Sequence, residues 1–161
     1  MVTQEINVTT EWAFLLHRLP REPSGPRIAL WRALRRLGAV LVADGVVALP
    51  RTPRTVEHLE WLASGLAEQG GSGSVWLSRP TSRETAEALA SQARQAADKE
   101  YAGVIRAAST VPAGSGPEAR RALKRLRAEL RRIAARDFFA APNGPVARDA
   151  VERLATAEMA V

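Results

Sequence analysis

The chain contains no cysteine. That excludes disulfides, thiolate zinc sites and cysteine nucleophiles at once. It has only two histidines and one tyrosine, and aromatic residues make up 5% of its 161 residues. No apolar run approaches the roughly 20 residues that cross a bilayer. The opening "MVTQEINVTTEW" has no basic start followed by an apolar stretch, so it does not read as a secretory signal. The expectation is a cytoplasmic protein without a membrane partner. Acidic residues are also few where basic ones are many. From Glu118 to Asp137 eight Arg or Lys residues stand against three acids, a local charge of +5 out of a net +6.

What is present is patterned. "WAFLLHRLP" (12–20) reads as a strand, apolar on both faces and stopped by Pro20. After the loop "REPSGP", a helix is expected from Pro26 to Leu37, with Ser24 as its N-cap and Gly38 as its left-handed terminus. Leu30, Trp31, Leu34 and Leu37 would form its buried stripe, leaving Arg27, Arg32, Arg35 and Arg36 on the other faces. Val40–Val42 and Val46–Leu49 flank Asp44-Gly45, a strong hairpin signal. A second helix follows, capped by Thr55 and closed by Gly70-Gly71, with Val56, Leu59, Leu62, Ala63 and Leu66 inward. "SGSVWLSRP" supplies a fourth strand.

Strand, helix, strand, strand, helix, strand is the ferredoxin-like βαββαβ arrangement. It predicts an α+β fold with an antiparallel sheet, the first and third strands central, and two helices on one face. The opposite face then needs cover from C-terminal helices, a second subunit, or both. From Thr81 onward the pattern is helical: one long helix over 82–109 with capping chemistry at Ser82, a break over 110–117, a helix over 117–136, a turn at "AAPNGP" and a last helix from Val146 to Ala157. Two regions are therefore expected, 1–80 and 81–161.

The helix over 117–136 carries the charge. Its Leu123, Leu126, Leu130 and Ile133 are spaced 3, 4, 3, which makes one packing seam. Arg120, Lys124, Arg127 and Arg131 then share one outward stripe. Arg121, Arg125 and Arg132, with Arg136, make its neighbour. Basic residues spread along a helix suit a polyanion better than a single ion, so these positions are the candidate DNA-binding residues, with Arg32, Arg35 and Arg36 as a second set. The plain alternative is a solvated amphipathic face.

Catalytic signals are thin. His17 and His58 read as strand-end and surface residues rather than bases. "GGSGS" (70–74) lacks the lysine and following helix of a P-loop and reads as a helix-to-strand turn. No carboxylates recur at ligand spacing, so no metal or cofactor is expected. Small metal nucleases of this fold place an Asp at the end of the first strand, where this chain has "HRLP". The four Trp residues, Trp12, Trp31, Trp61 and Trp76, read mainly as core; Trp76 as a base-stacking residue is the alternative. No electron carrier or nucleophile is indicated, so the chain is expected not to be an enzyme.

The stretch "WAFLLHRLPREPSGPRIALWRALRRLGAVLVADGVVALP" (12–50) strongly resembles the N-terminal domain of the ChrB family. The shared features are the apolar strand ending in Leu-Pro, the "WRALRRLGA" helix and the "DGVVALP" hairpin. "LRAELRRIAARDFF" (126–139) is similar to the family's basic helix ending in Asp-Phe-Phe, so the likeness runs from about Trp12 to Leu154. A weaker likeness, within the first 80 residues, is to the middle domain of PaaX-type repressors, without the winged helix that precedes it there. Many ChrB proteins continue into a further C-terminal domain. The resemblance implies a DNA-binding transcriptional regulator of a chromate-resistance operon, with chromate as effector. Homodimerisation is the expected way for so small a regulator to read a palindromic site. The alternative is an oxyanion-sensing or protein-interaction module that does not touch DNA.

Overall fold

The computed structural model describes residues 11–112 and 116–159, and side chains through residue 156. The N-terminal stretch read above and the centre of the 110–117 break lie outside the described residues. Contacts divide the chain into two compact units. Residues 4–93 form one and residues 94–161 the core of the other, so the division falls inside a helix.

The first unit is built on a four-stranded antiparallel sheet of order β2-β3-β1-β4, with β1 and β3 central as expected. Strand β1 (Trp12–Arg18) is paired on both edges, and its first half is buried on both faces, Trp12 on one and Ala13 and Leu15 on the other. It meets β3 (Val46–Pro50) from Trp12 opposite Pro50 to Leu16 opposite Val46, and β4 (Ser72–Ser78) from Trp12 opposite Ser78 to Arg18 opposite Ser72. Strand β2 (Val40–Ala43) pairs with β3 through the Asp44-Gly45 turn. Gly45 has φ +74, and a Cβ there would sit 2.6 Å from the His17 carbonyl oxygen. Only glycine allows the turn to close this tightly on β1.

Helix α1 (Gly25–Leu37) packs through Leu30 and Leu34 and ends at Gly38, whose φ is 78. Two expectations about it are corrected. Ser24 makes no side-chain cap bond, because its own backbone is already helical. Trp31 is not in the stripe but 57% exposed, since it stands one residue, about 100°, round the helix from Leu30. Helix α2 (Pro53–Leu66) is capped one turn earlier than expected. Thr52 accepts from the Thr55 N–H at 3.0 Å, and the Thr52 N–H donates back to Thr55 Oγ1 at 2.9 Å. Thr55 is thus the N3 partner of a capping box rather than the cap. Its hydroxyl also donates to the Pro50 carbonyl at 2.6 Å, tying the helix start to β3. A 3-10 turn (Ala67–Gln69) and Gly70 finish the helix. The Gly-rich stretch is structural. A Cβ on Gly73 would meet Leu66 at 2.7 Å and Ala63 at 3.3 Å, so its absence lets α2 lie close against β4.

The sheet's other face is half covered. Trp12, Val40, Ala48 and Pro50 are buried there, while Leu16 and Trp76 are 40% and 60% exposed. Helix α3 (Arg83–Ser109) follows β4, and its Ala86, Leu89 and Ala90 are buried at i, i+3 and i+4. Ser82 caps α3, accepting from the Thr85 N–H at 3.1 Å.

The second unit packs the rest of α3 with α4 (Pro117–Ala134) and α5 (Asn143–Met159). Its core holds Tyr101, Val104, Leu123, Leu126, Ile133, Ala147 and Val151, with Leu130 at its margin. Helix α5 starts three residues before the expected Val146. The Asp98 carboxylate of α3 accepts from the Asn143 backbone N–H at 2.7 Å and from its side-chain amide at 2.9 Å, so the residues read as a turn are drawn into the first helical turn.

Candidate nucleic-acid interface

Helix α4 separates apolar from basic residues cleanly. At about 100° per residue, Ala122, Leu123, Leu126, Leu130 and Ile133 occupy one sector. All are buried except Leu130, which is partly so. Arg120, Lys124, Arg127 and Arg131 fall in a sector of roughly 60°, and Arg121, Arg125 and Arg132 in the next. All seven are exposed. Together they span an arc of roughly 160° facing away from the seam. Arg121, Lys124, Arg125, Arg127 and Arg131 form no ion pair among the described residues, and Arg132 pairs with Glu129 on its own helix.

Arg136 departs from the expected stripe. Its guanidinium turns back to Glu100 of α3 and is only 15% exposed. It closes the helix end rather than extending the basic face. Beyond it, the Asp-Phe-Phe segment is an anchor. Asp137 accepts from the Ala141 N–H through both oxygens, at 3.1 and 3.0 Å, and from the Tyr101 hydroxyl. Phe139 is buried at 5% exposure, Ala140 takes the left-handed φ of 53, and Arg94 donates to the Phe139 carbonyl at 3.4 Å. Burial, then the neighbouring Asp137 carboxylate, push the Tyr101 phenol up to about 12. These contacts hold α4 by its C-terminal end.

The second basic set belongs to the other unit and does not form one stripe. Arg32, Arg35 and Arg36 are all exposed. The Arg35 guanidinium lies over the Trp31 ring, 4.8 Å from its centre, the cation–π arrangement. Arg36 lines the groove between α1 and α2 beside Trp61. Arg32 faces a different hollow, bounded by α1, the end of β1 and the β2–β3 hairpin.

That hollow was not anticipated. It is an open cleft of about 880 Å³, lined by Arg18, Arg21, Arg27 and Arg32 as well as His17 and Trp31. The signal was present in the four arginines between positions 18 and 32, but their convergence depends on the loop between β1 and α1. The reading of the tryptophans as core is corrected for three of four. Trp12 is fully buried, whereas Trp31, Trp61 and Trp76 are 57%, 74% and 60% exposed. Trp76 meets its polar need locally, donating from Nε1 to Ser74 Oγ at 2.9 Å. His17 is held below the ordinary histidine range by burial, so it is neutral at neutral pH. Among the described residues, no three His, Cys, Asp or Glu side chains group as metal ligands, and no helix is long and apolar enough to cross a membrane.

No solved structure matches the chain. Among curated proteins it is similar to Protein ChrB of Cupriavidus metallidurans, 35% identical over 68 residues. That stretch is 42% of this chain and 20% of the relative, so the match spans about a fifth of the relative's length. The family model described as "Protein ChrB, N-terminal" matches residues 27–112. Those residues hold α1, the hairpin, α2, β4 and α3, and end before the basic helix. The chain therefore belongs to the ChrB family, through that family's N-terminal region.

Proposed function

We propose that this protein is a DNA-binding transcriptional regulator of a chromate-resistance operon, acting without catalysis as a homodimer and responsive to chromate. The observation that carries the DNA contact is the arc of exposed Arg and Lys on α4, opposite a buried apolar seam. Seven cations along about three turns match a run of phosphates, not one small ion. Family membership supplies the chromate connection. In this reading α4 lies along the backbone and positions the protein without reading bases.

The test is fluorescence anisotropy with a labelled fragment of the protein's own promoter, over a salt series, with and without chromate. The expected result is a log affinity falling linearly with log salt, by about 0.9 per phosphate contacted. Replacing Arg120, Lys124, Arg127 and Arg131 by Gln is expected to weaken binding to every sequence alike and to flatten that slope by a few units. Binding that survives these changes with its slope intact would make the arc a solvated face.

The second reading, an anion-sensing or protein-interaction module that leaves DNA alone, is favoured by the basic cleft at α1. Absence of salt-dependent DNA binding in the same titration is the result that selects it.

A further inference from the structure

The cleft of the first unit has features that the α4 contact with DNA does not use, and it deepens the anion-binding reading. Its floor is apolar: Leu30, Leu34 and Val47 are 6%, 5% and 6% exposed. Its walls keep Ile28, Trp31 and Leu41 open to solvent at 45%, 57% and 60%. Large apolar side chains grouped like this on a small surface mark a contact site. Around them stand Arg18, Arg21, Arg27 and Arg32, none of which forms an ion pair among the described residues. The sole carboxylate in the lining is Asp44. Four guanidiniums against one carboxylate leave the cleft strongly cationic.

Size decides what such a site takes. About 880 Å³ lies within the range of pockets that hold drug-sized organic molecules. A bare tetrahedral oxyanion would fill a small part of it and leave the apolar walls wet. Trp31 is also braced, with Arg35 on its ring, so it offers a fixed flat surface. Arg donors supply paired hydrogen bonds to phosphate or carboxylate beside it.

We propose that the cleft between α1, the end of β1 and the β2–β3 hairpin binds an organic anion, one that joins a flat apolar body to a phosphate or carboxylate. The apolar body lies against Trp31, Ile28 and Leu41, and the charged group meets Arg27 and Arg32, with Arg18 and Arg21 also in the lining. The site is on a different unit from α4 and stands whether or not α4 binds DNA.

The test uses the full chain and 1-naphthyl phosphate as probe, followed by isothermal titration calorimetry. Saturable binding at one site is expected. The double variant Arg27→Gln, Arg32→Gln should weaken it at least tenfold, and so should Trp31→Ala. Trp76→Ala, on the opposite face of the sheet, should leave it unchanged. All these side chains are exposed, so circular dichroism melts should match the parent. 1-Naphthoate and 1-naphthol then separate the sources of affinity: the carboxylate should bind measurably and the uncharged naphthol at least tenfold more weakly than the phosphate. Equal binding by the Arg27/Arg32 or Trp31 variants would overturn the proposal. So would competition by inorganic phosphate as strong as by the naphthyl ester, which would make this a plain oxyanion site. The Gln variant of α4 should bind the probe like the parent, so the failure of either reading is seen separately.

Discussion

At the scale of single residues, Tyr101 is the most informative side chain. It is 1% exposed, and its hydroxyl donates to Asp137 in the turn that follows α4. The neutral phenol is the form that the fold favours, because burial and the nearby carboxylate both oppose the phenolate. Its contribution to stability is therefore complete below the ordinary value of 10.0 and is lost as pH rises from there through about 12. Tyr101 is the chain's one tyrosine, so absorbance near 295 nm reports it alone. The native protein should titrate near pH 12 and the urea-unfolded chain near the ordinary value; coincident curves would refute the contact. Tyr101→Phe should cost about 1.5–3 kcal/mol in denaturant unfolding, the usual range for a lost hydrogen bond to a charged group. Trp31, Trp61 and Trp76 show a different lesson at this scale: a large apolar side chain has no obligation to be inside. Three of the four tryptophans are expected to be quenched by iodide, leaving a protected fraction from Trp12.

At the scale of elements, helix ends separate what is local from what is not. The Thr52–Thr55 box is a three-residue interaction, and Thr52→Ala should cost about 1 kcal/mol. Ser24→Ala should cost almost nothing, because Ser24 makes no cap bond although its sequence position suggests one. A urea series on the two variants distinguishes them directly. In α4 the same charges that suit a polyanion work against the isolated helix. Arg120–Lys124 and Arg127–Arg131 are like-charge pairs at i, i+4, each opposing the helix by about 0.2–0.5 kcal/mol. Replacing Lys124, Arg127 and Arg131 by Gln should leave the melting temperature equal or higher, most clearly at low salt, where screening is weakest. A melting temperature that falls would mean that these side chains hold the fold, and the α4 arc would then have a structural reason to exist.

At the scale of the whole molecule, the proposed homodimer has a simple readout. Light scattering should give twice the 17.4 kDa of the chain, and a monomer at micromolar concentration would remove that part of the proposal. The half-bare sheet face around Leu16 and Trp76 shows that cover for this face is incomplete within the chain's described residues.

Much of the architecture was determined by the sequence alone. Apolar residues on both sides of β1 require a central strand. Asp44-Gly45 between β-branched runs requires a hairpin, and the 3, 4, 3 spacing in α4 puts its leucines inward and its arginines out. These signals are local because they arise from the periods of helix and strand and from the φ that glycine alone takes freely. The tertiary structure decided what depends on residues far apart in the chain. Asp98 sets the start of α5 from 45 residues away. Glu100 withdraws Arg136 from the basic face. The end of β1, the loop after it, α1 and the hairpin bring four scattered arginines and one exposed tryptophan to a single cleft. Partners of this kind have no period to read, since the chain between them can be any length that the fold accommodates.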